Sequence, residues 1–549
     1  MHTVGKKTTH GGKTPRTAGG FMQHSFRTMK KHFLLFLAQI LVQYSSLFAQ
    51  SGNLDPFFHN DGILSITMGQ NSNSTDKAYA VALQTDGKIV VAGNTWTGSA
   101  KNFAIARCNA DGMLDTTFNN DGIVTTSVGG WSVIRSIAIQ PDGKIIAVGY
   151  SGSNQNDGFL LARYNSVGSL DGSFGTNGKV ITIISGVEEA PRSVALQPDG
   201  KIVVGGYTGN NQFQNFALAR YTTNGQLDAS FGIAGIQITP FTNEPDGITS
   251  IALQTDGKIV AAGYSYLNGI PSFSLARYNA DGSLDVTFDS DGKITTTLND
   301  QGSEAWSLAI QNDGKIVVGG RFGAYLKSDF GLVRYNTDGS IDSSFGINGS
   351  TVIDIHSSDV IRSIALWPDG RIVAAGSSSY DTSIVFAIAQ YNSNGIIDSA
   401  FGNNGIITTQ IANGTGDLKG LCLQTDGKIV VAGDAFYSSS NWDFVLARYL
   451  TDFNMGIAEF TSENSSLLIY PNPIVSEAEL SFTLTKNENL SLRLLNIQGH
   501  LVQTFYSNQF RQAGVYKDKI MLSSSLSAGM YILDLSNGKG KMALRIVKE

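Results

Sequence analysis

A tripeptide, Asp-Gly-Lys, recurs seven times through the middle of this chain, beginning at Asp86, Asp142, Asp199, Asp256, Asp313, Asp369 (with Arg371 in place of Lys) and Asp426. The intervals are 56 or 57 residues throughout. A period of this size built of strands confines the chain to units that stack or close radially, because one such unit cannot bury its faces alone. The copy over residues 193–239 runs Ser-Val-Ala-Leu-Gln, the turn Pro198-Asp199-Gly200-Lys201, Ile-Val-Val-Gly-Gly-Tyr, a polar loop, Phe216-Ala-Leu-Ala-Arg-Tyr, Leu227-Asp-Ala-Ser-Phe-Gly and Ile236-Gln-Ile-Thr. That is four short strands. Asp-Gly between two apolar runs is a hairpin signal, since glycine accepts the positive φ such turns require. Apolar runs such as Lys88-Ile-Val-Val-Ala-Gly93 indicate strands covered on both faces, which sheets stacked around an axis supply.

Two further elements count to the same number. Leu-Asp-x-x-Phe, or its Ile variant, begins at Leu54, Leu114, Leu170, Leu227, Leu284, Ile341 and Ile397, and the Arg-Tyr element ends at Cys108, Tyr164, Tyr221, Tyr278, Tyr335, Tyr391 and Tyr449. The expected fold is all-β: a seven-bladed β-propeller of four-stranded repeats of about 57 residues over 51–449. The array opens with Leu54-Asp and stops at Tyr449, so the ring is complete only if the strand Ile63 to Met68 is counted. It either opens the first blade as its innermost strand or closes the last as its outermost. Six of the seven copies carry an arginine before the Tyr or Cys, with Gln390 in the other, and in five of them an Asp follows the arginine by eight residues, as in Arg220 and Asp228. A role repeated in every blade reads as a structural Arg-carboxylate clamp across the connecting turn.

In a four-stranded meander alternate connections share an end. The Asp-Gly-Lys hairpins and the Leu-Asp-x-x-Phe connections therefore lie on one, nearly invariant face, and the two remaining sets of loops, where the copies diverge, lie on the other. Those divergent loops carry Trp96, Trp131, Tyr150, Tyr207, Tyr266, Trp306, Tyr325, Tyr380 and Trp442, with Glu188, Glu189, Asp246, Asp300, Glu304 and Asp417 nearby. Aromatics on variable loops of a rigid scaffold stack sugar rings or grip protein ligands, so these nine are the candidate ligand-binding residues. The alternatives are a scaffold within a surface layer and a carboxylate-based glycoside hydrolase or lyase, which requires two carboxylates converging at the central mouth.

Other chemistry is poorly served. Of seven histidines, four lie in residues 1–49 and one is His500, which leaves the propeller only His59 and His356 for a metal centre or a Ser-His-Asp relay. No catalytic or metal-ligating residue and no cofactor is assigned; a P-loop and zinc spacings are absent from the sequence. The segment Asn109-Ala-Asp-Gly-Met-Leu-Asp115 hints at a calcium loop, but its third position reads Asp111, Val167, Asn224, Asp281, Asp338 and Asn394 across the copies, which is turn chemistry. The two cysteines, Cys108 and Cys422, each replace a packed residue of the repeat and read as buried thiols.

Residues 1–49 hold seven Lys/Arg and no Asp/Glu. Met29-Lys-Lys-His, the apolar run Phe33 to Val42 and the small-residue stretch ending at Ala49 have the three regions of a secretory signal peptide, with cleavage expected near Ala49/Gln50 and Met29 as the initiator after an upstream extension. Removing this segment leaves 32 basic against 45 acidic residues, a formal charge of −13, which disfavours nucleic acid and anionic membranes as partners. No remaining stretch is apolar enough to anchor the mature chain across a membrane.

Motifs of the form Ala-Leu-Gln-x-Asp-Gly-Lys-Ile, Ala-Arg-Tyr-Asn-x-Asp-Gly-x-Leu-Asp and Phe-Gly-x-x-Gly, over residues 54–449, resemble the delta-60 repeat of secreted bacterial proteins, which implies a propeller-like domain and no established activity. A polar linker, residues 450–466, leads to a β-rich tail, 467–549. It contains Tyr470-Pro-Asn-Pro473, Leu495-Asn-Ile-Gln-Gly-His-Leu-Val502, Ser527-Ala-Gly-Met-Tyr-Ile-Leu533 and Ala543-Leu-Arg-Ile-Val-Lys548. These resemble the type A C-terminal sorting domain of the type IX secretion system of Bacteroidetes, with His500 and Met530 as departures. The resemblance implies the secretion machinery as partner of residues 467–549, passage through the periplasm, and a secreted or outer-surface destination. The alternation in Leu480-Ser-Phe-Thr-Leu and Leu490-Ser-Leu-Arg-Leu-Leu fits a small β-sandwich.

Overall fold

Each repeat is organised around its hairpin. At residues 197–201 the Asp199 Oδ1 accepts the Lys201 N–H at 3.1 Å while Gly200 takes φ 83°, a left-handed conformation that glycine adopts without strain. The chain then pairs Glu188–Leu196 with Ile202–Gly209, that strand with Asn215–Tyr221, and the third with Ile236–Thr239, all antiparallel. The computed structural model describes residues 51–451 and 468–548 apart from the segments 70–73, 153–157, 299–300, 325–326, 381–382, 439–440, 471–473, 497–500 and 538–540 and a few single positions. The leader, its cleavage point, Met29 and most of the linker lie outside the described residues.

Among the described residues seven four-stranded meanders form the propeller. Their innermost strands are Lys77–Leu83, Val133–Ile139, Glu188–Leu196, Asp246–Leu253, Ser303–Ile310, Ser358–Leu366 and Gly416–Leu423, and the last lies beside the first as each lies beside the next, which closes the ring. The strand near the N-terminus decides the closure mode. Ile63–Ile66 pairs with the third strand of the seventh blade, Ile63 opposite Ala447 and Ile66 opposite Phe444, so it is the outermost strand of the last blade. Leu64 and Ile66 are buried there with Phe58, Phe444 and Cys108, so a side chain from each end of the propeller sequence fills one core.

Apolar clusters fill every wedge between adjacent blades, as sheets covered on both sides require. A repeated set of polar contacts between blades sits at the hairpin rim. Arg220 stacks on Phe231 at 4.7 Å, donates through Nε to Asp228 at 2.9 Å and through Nη2 to Ser230 at 3.1 Å, and reaches the carbonyl of Ala280 in the next blade through Nη1. Lys201 adds its Nζ to Asp228 at 3.1 Å, which places the hairpin and the Leu-Asp-x-x-Phe turn on one face. The same set recurs from Arg107 to Arg448, and Arg448 binds Asp55 at 2.9 Å and the Ala110 carbonyl across the closure. The repeated clamp is thus also an inter-blade staple. In the sixth blade Gln390 substitutes, donating to Asp398 at 2.9 Å and accepting from Trp367 Nε1 at 3.2 Å.

The tail packs two antiparallel sheets. Leu468–Tyr470, Glu477–Leu484 and Gly514–Met521 form one, and Leu501–Arg511, Glu488–Asn496, Gly529–Ser536 and Lys541–Lys548 the other. Leu480 and Phe482 from the first meet Leu490, Leu492, Leu494, Leu533 and Leu535 from the second, the core of a small sandwich.

Candidate functional site: a cationic central channel

All seven innermost strands carry a β-bulge at one equivalent position, between Ala78/Ala80, Ile134/Ser136, Pro191/Ser193, Ile248/Ser250, Ala305/Ser307, Ile361/Ser363 and Leu418/Gly420. The cause lies on the neighbouring strand. There a glycine faces the bulge so closely that a Cβ on Gly206 would stand 2.1 Å from the Ala190 carbonyl, and one on Gly93, Gly149, Gly263, Gly320 or Gly376 would stand 1.9 Å from the matching carbonyl. Only glycine permits that approach, and the bulge it permits redirects one side chain per blade.

The redirected residues are Tyr79, Arg135, Arg192, Thr249, Trp306, Arg362 and Lys419, and together they line a central cavity of about 310 Å³. The bulge falls at the third to fifth residue of strands seven to nine residues long, nearer the end that comes from the variable-loop face. Below it the inner strands are tied around the axis. Ser136, Ser193, Ser250 and Ser307 each accept, through Oγ, the N–H of Val194, Ile251, Leu308 or Ile364 in the next blade at 3.0 to 3.3 Å.

Four of the seven lining residues are cations. Lys419 is neutralised by Asp417 beside it. Among the described residues no carboxylate forms an ion pair with Arg135, Arg192 or Arg362. Each of these guanidiniums lies instead over an aromatic ring: Arg135 over Tyr79 at 4.3 Å and Tyr150 at 5.5 Å, Arg192 over Tyr207 at 5.5 Å, and Arg362 over Trp306 at 4.3 Å. Burial, and next the Arg135 charge, hold the Arg192 pKa below its ordinary value. Arg135 Nε, Arg362 Nε and Trp306 Nε1 are buried donors without a hydrogen-bond acceptor among the described residues. The Arg135, Arg192 and Arg362 side of the lumen is therefore rich in donors, while the carboxylates Asp417 and Asp434 lie by Lys419 and Tyr79.

The nine aromatics proposed from sequence divide among several places. Trp306 lines the channel, while Tyr150 and Tyr207 stand behind Arg135 and Arg192; Tyr150 also accepts from Arg135 Nη2 at 3.3 Å. Trp96 and Trp131 pack edge to face at 5.2 Å, Tyr266 packs on Tyr264 at 6.0 Å, Tyr380 on His356 at 4.8 Å, and Trp442 on Phe436 at 5.4 Å. Tyr380 and Trp131 are exposed, at 56% and 43%. Tyr325 and Asp300 lie outside the described residues. The acidic neighbours do structural work: Glu304 pairs with Arg321 at 2.9 Å, Glu189 accepts from the backbone of Ile184 and Gly186, and Asp246 from Phe216 and Phe241. Asp329, Asp354 and Asp359 bring carboxylate oxygens within 4.8 Å of one another, but Asp359 caps its turn as Glu189 and Asp246 do, accepting from Ile355 and His356.

The channel-lining cations had a sequence signature. In each copy the residue before the Ser-Ile-Ala type element is the one that changes character, Tyr, Arg, Arg, Thr, Trp, Arg, Lys, inside an otherwise apolar strand. A charge in such a strand has to face a lumen or a partner.

Fold and channel define a ring-closed seven-bladed β-propeller whose axis is lined by guanidiniums lying over aromatic rings, followed by a β-sandwich tail. Residues 84–118, 140–174, 197–231, 254–288, 311–345, 368–401 and 424–452 match the beta-propeller family described as a domain of unknown function, DUF5122, and 468–549 match the secretion system C-terminal sorting domain; the chain carries seven of the former and one of the latter. The tail is the export signal of the type IX system and directs the protein to the cell surface or to secretion. No helix among the described residues is long and apolar enough to cross a membrane. Solved structures similar to this chain include PorZ, a surface component of the type IX secretion system of Porphyromonas gingivalis, at 11% identity and TM-score 0.36 over 85% of this chain and 59% of that one, so the chain spans less than two thirds of PorZ. An ulvan lyase is similar at 11% identity and TM-score 0.40, over 74% of this chain and 94% of its own. A Dyadobacter fermentans protein of unknown function is similar at 12% identity and TM-score 0.37, over 71% and 99%. No curated protein matches the sequence.

Proposed function

We propose that this exported propeller is a non-catalytic binding protein that engages a glycan or protein ligand at its variable-loop face, with the central channel as the heart of the site. One observation carries the reading: the seven bulged residues take five types, Tyr, Arg, Thr, Trp and Lys, while the strands, clamps and turns around them repeat. Repetition serves closure of the ring, and the positions released from that duty converge on one cavity of ligand-binding size. The aromatics of the variable loops, Trp131 and Tyr380 among them, extend the same face.

The test is a glycan-array and surface-protein binding screen of the full exported chain, repeated with Trp131→Ala on the loops and Thr249→Trp, which fills the lumen without altering its charge. Binding that Thr249→Trp abolishes in a folded protein supports the channel. Binding indifferent to both variants moves the site elsewhere, and silence across both screens favours a surface-layer scaffold.

A further inference from the structure

Three guanidiniums share one small lumen and none forms an ion pair among the described residues, Asp417 feeling the Arg362 charge but being bound by Lys419, in a chain whose residues 50–549 carry 32 basic and 45 acidic side chains. Such a concentration opposes the average charge of the protein, and it is unfavourable in an empty channel, because like charges repel and buried charge is stabilised chiefly by pairing. Stacking fixes how each guanidinium is presented. A cation-π contact leaves guanidinium N–H groups for other partners; Arg135 gives Nη2 to the Tyr150 hydroxyl, and the remaining N–H groups suit the oxygens of a carboxylate, sulfate or phosphate. The orphan donors Arg135 Nε, Arg362 Nε and Trp306 Nε1 require what such a group supplies, several acceptor atoms at once.

We propose that the central channel is an oxyanion site, in which Arg135 and Arg192 on one side of the ring and Arg362 with Trp306 on the other receive the carboxylate, sulfate or phosphate groups of a small polyacidic ligand. This rests on the binding reading above and names the ligand class. Lys419 contributes least, since Asp417 already holds it. The cavity, about 310 Å³, admits a small molecule or one acidic terminus of a longer chain.

Crystals of the full chain soaked in sodium selenate should show anomalous density in the channel against Arg135, Arg192 or Arg362. Calorimetric titrations at constant ionic strength would compare tricarballylate, sulfate, phosphate and acetate, and the ranking among the first three identifies which oxyanion the lumen prefers. Tricarballylate should bind at least tenfold more tightly than acetate. Arg192→Gln and Arg362→Gln should each weaken it tenfold or more, since each removes a charge-assisted pair of bonds, whereas Lys419→Gln should change it less than threefold. Melting temperatures of the variants separate lost binding from lost folding. Selenate confined to the outer surface, or affinities equal across the arginine variants, would overturn the proposal. A neutral glycan lost in Thr249→Trp but kept in Arg192→Gln would overturn the oxyanion assignment and leave the binding reading standing.

Discussion

Replacing Arg220 by Gln imitates in the third blade what the sixth blade does naturally with Gln390. The substitution removes the guanidinium stacked on Phe231 at 4.7 Å, the Nη2 bond to Ser230 at 3.1 Å and the bond to the Ala280 carbonyl of the next blade, and it exchanges the 2.9 Å charge-assisted bond to Asp228 for a neutral donor. Hydrogen bonds to charged groups contribute about 1.5–3 kcal/mol and a cation-π pair about 0.5–2 kcal/mol, while the carboxylate left behind keeps Lys201 and Ser230. The net loss is about 3 kcal/mol. For a propeller of about 400 residues, an unfolding entropy of about 2.1 cal/mol/K per residue turns that into a fall in midpoint of about 3–4 °C. The sixth blade also shows the remedy. There Trp367 occupies the position of Gln197 and donates Nε1 to the Gln390 Oε1, and Gln197 Oε1 itself makes no hydrogen bond. Adding Gln197→Trp should therefore recover about 1 kcal/mol, leaving a fall of about 2 °C. All five tryptophans, at 96, 131, 306, 367 and 442, belong to the propeller, so thermal melts followed by Trp fluorescence in the full chain report the propeller alone. A shift below 1 °C for Arg220→Gln would show that the clamp does not hold blades together, and a double variant no more stable than the single would refute the exchange of partners.

Acid should unfold the propeller in a definite window. The Ser230 hydroxyl, working against burial and helped by the Ser230 N–H, Lys201 and Arg220, holds the Asp228 carboxyl well below the usual range, and Asp115, Asp171, Asp285 and Asp342 are lowered likewise. Their stabilisation is fully present above the unfolded value near about 3.9 and is lost as pH falls toward the folded ones, so melting points should be insensitive to these groups above pH ~5 and drop steeply below ~4; a drop beginning near pH 6 would point to other groups. Burial pushes Asp434 the other way, up to about 7, with Lys419 and Lys77 partly offsetting it and Asp417 adding to it. Its contribution is complete only below the unfolded value and is lost as pH rises through about 7, so Asp434→Asn should raise the melting point more at pH 8 than at pH 5, and equal gains would contradict this. Cys108 and Cys422, both pushed up to about 12 by burial, should resist iodoacetamide in the native protein at pH 8 and react fully once unfolded. Gly206→Ala should cost about 1–3 kcal/mol, because its new Cβ meets the Ala190 carbonyl and the bulge that presents Arg192 must shift; an unchanged melt would remove our account of the bulge.

The blade count, the shared face of the hairpins and the Arg-Asp clamps were legible because each depends on local pattern repeated at fixed spacing. Lys201 and Arg220 meet at Asp228 as the repeat suggests. Which end closes the ring was not legible, since Ile63–Ile66 has the alternating pattern of any outer strand and its partner, Asn441–Tyr449, lies almost the whole propeller away in sequence. The channel was missed for a different reason. A bulge is created by two strands together, here a glycine on one and an extra residue on the other, so reading single strands by alternation assigns Arg192 to a sheet face. Loop aromatics are conspicuous by residue type alone. Trp306 stands out by its type, whereas the position shared by Arg135, Arg192 and Arg362 gains its meaning only from seven inner strands facing one axis.

That geometry also explains how such a repetitive chain can be specific. In a closed ring every inter-blade surface must fit its neighbour, so a change in Phe231 or Arg220 is felt by the blade beside it. The bulged positions face the lumen, where their contacts with the next blade are few, such as Thr249 Oγ1 donating to the Ala305 carbonyl at 2.9 Å and Arg362 lying over Trp306, and one substitution in each repeat rewrites a seventh of the lining. The stabilising clamps lie at the hairpin face, while the lumen residues sit nearer the opposite face. Stability and recognition are thereby placed on different residues of the same strands, and the repulsion among Arg135, Arg192 and Arg362 can be borne by a scaffold whose polar fastening lies elsewhere.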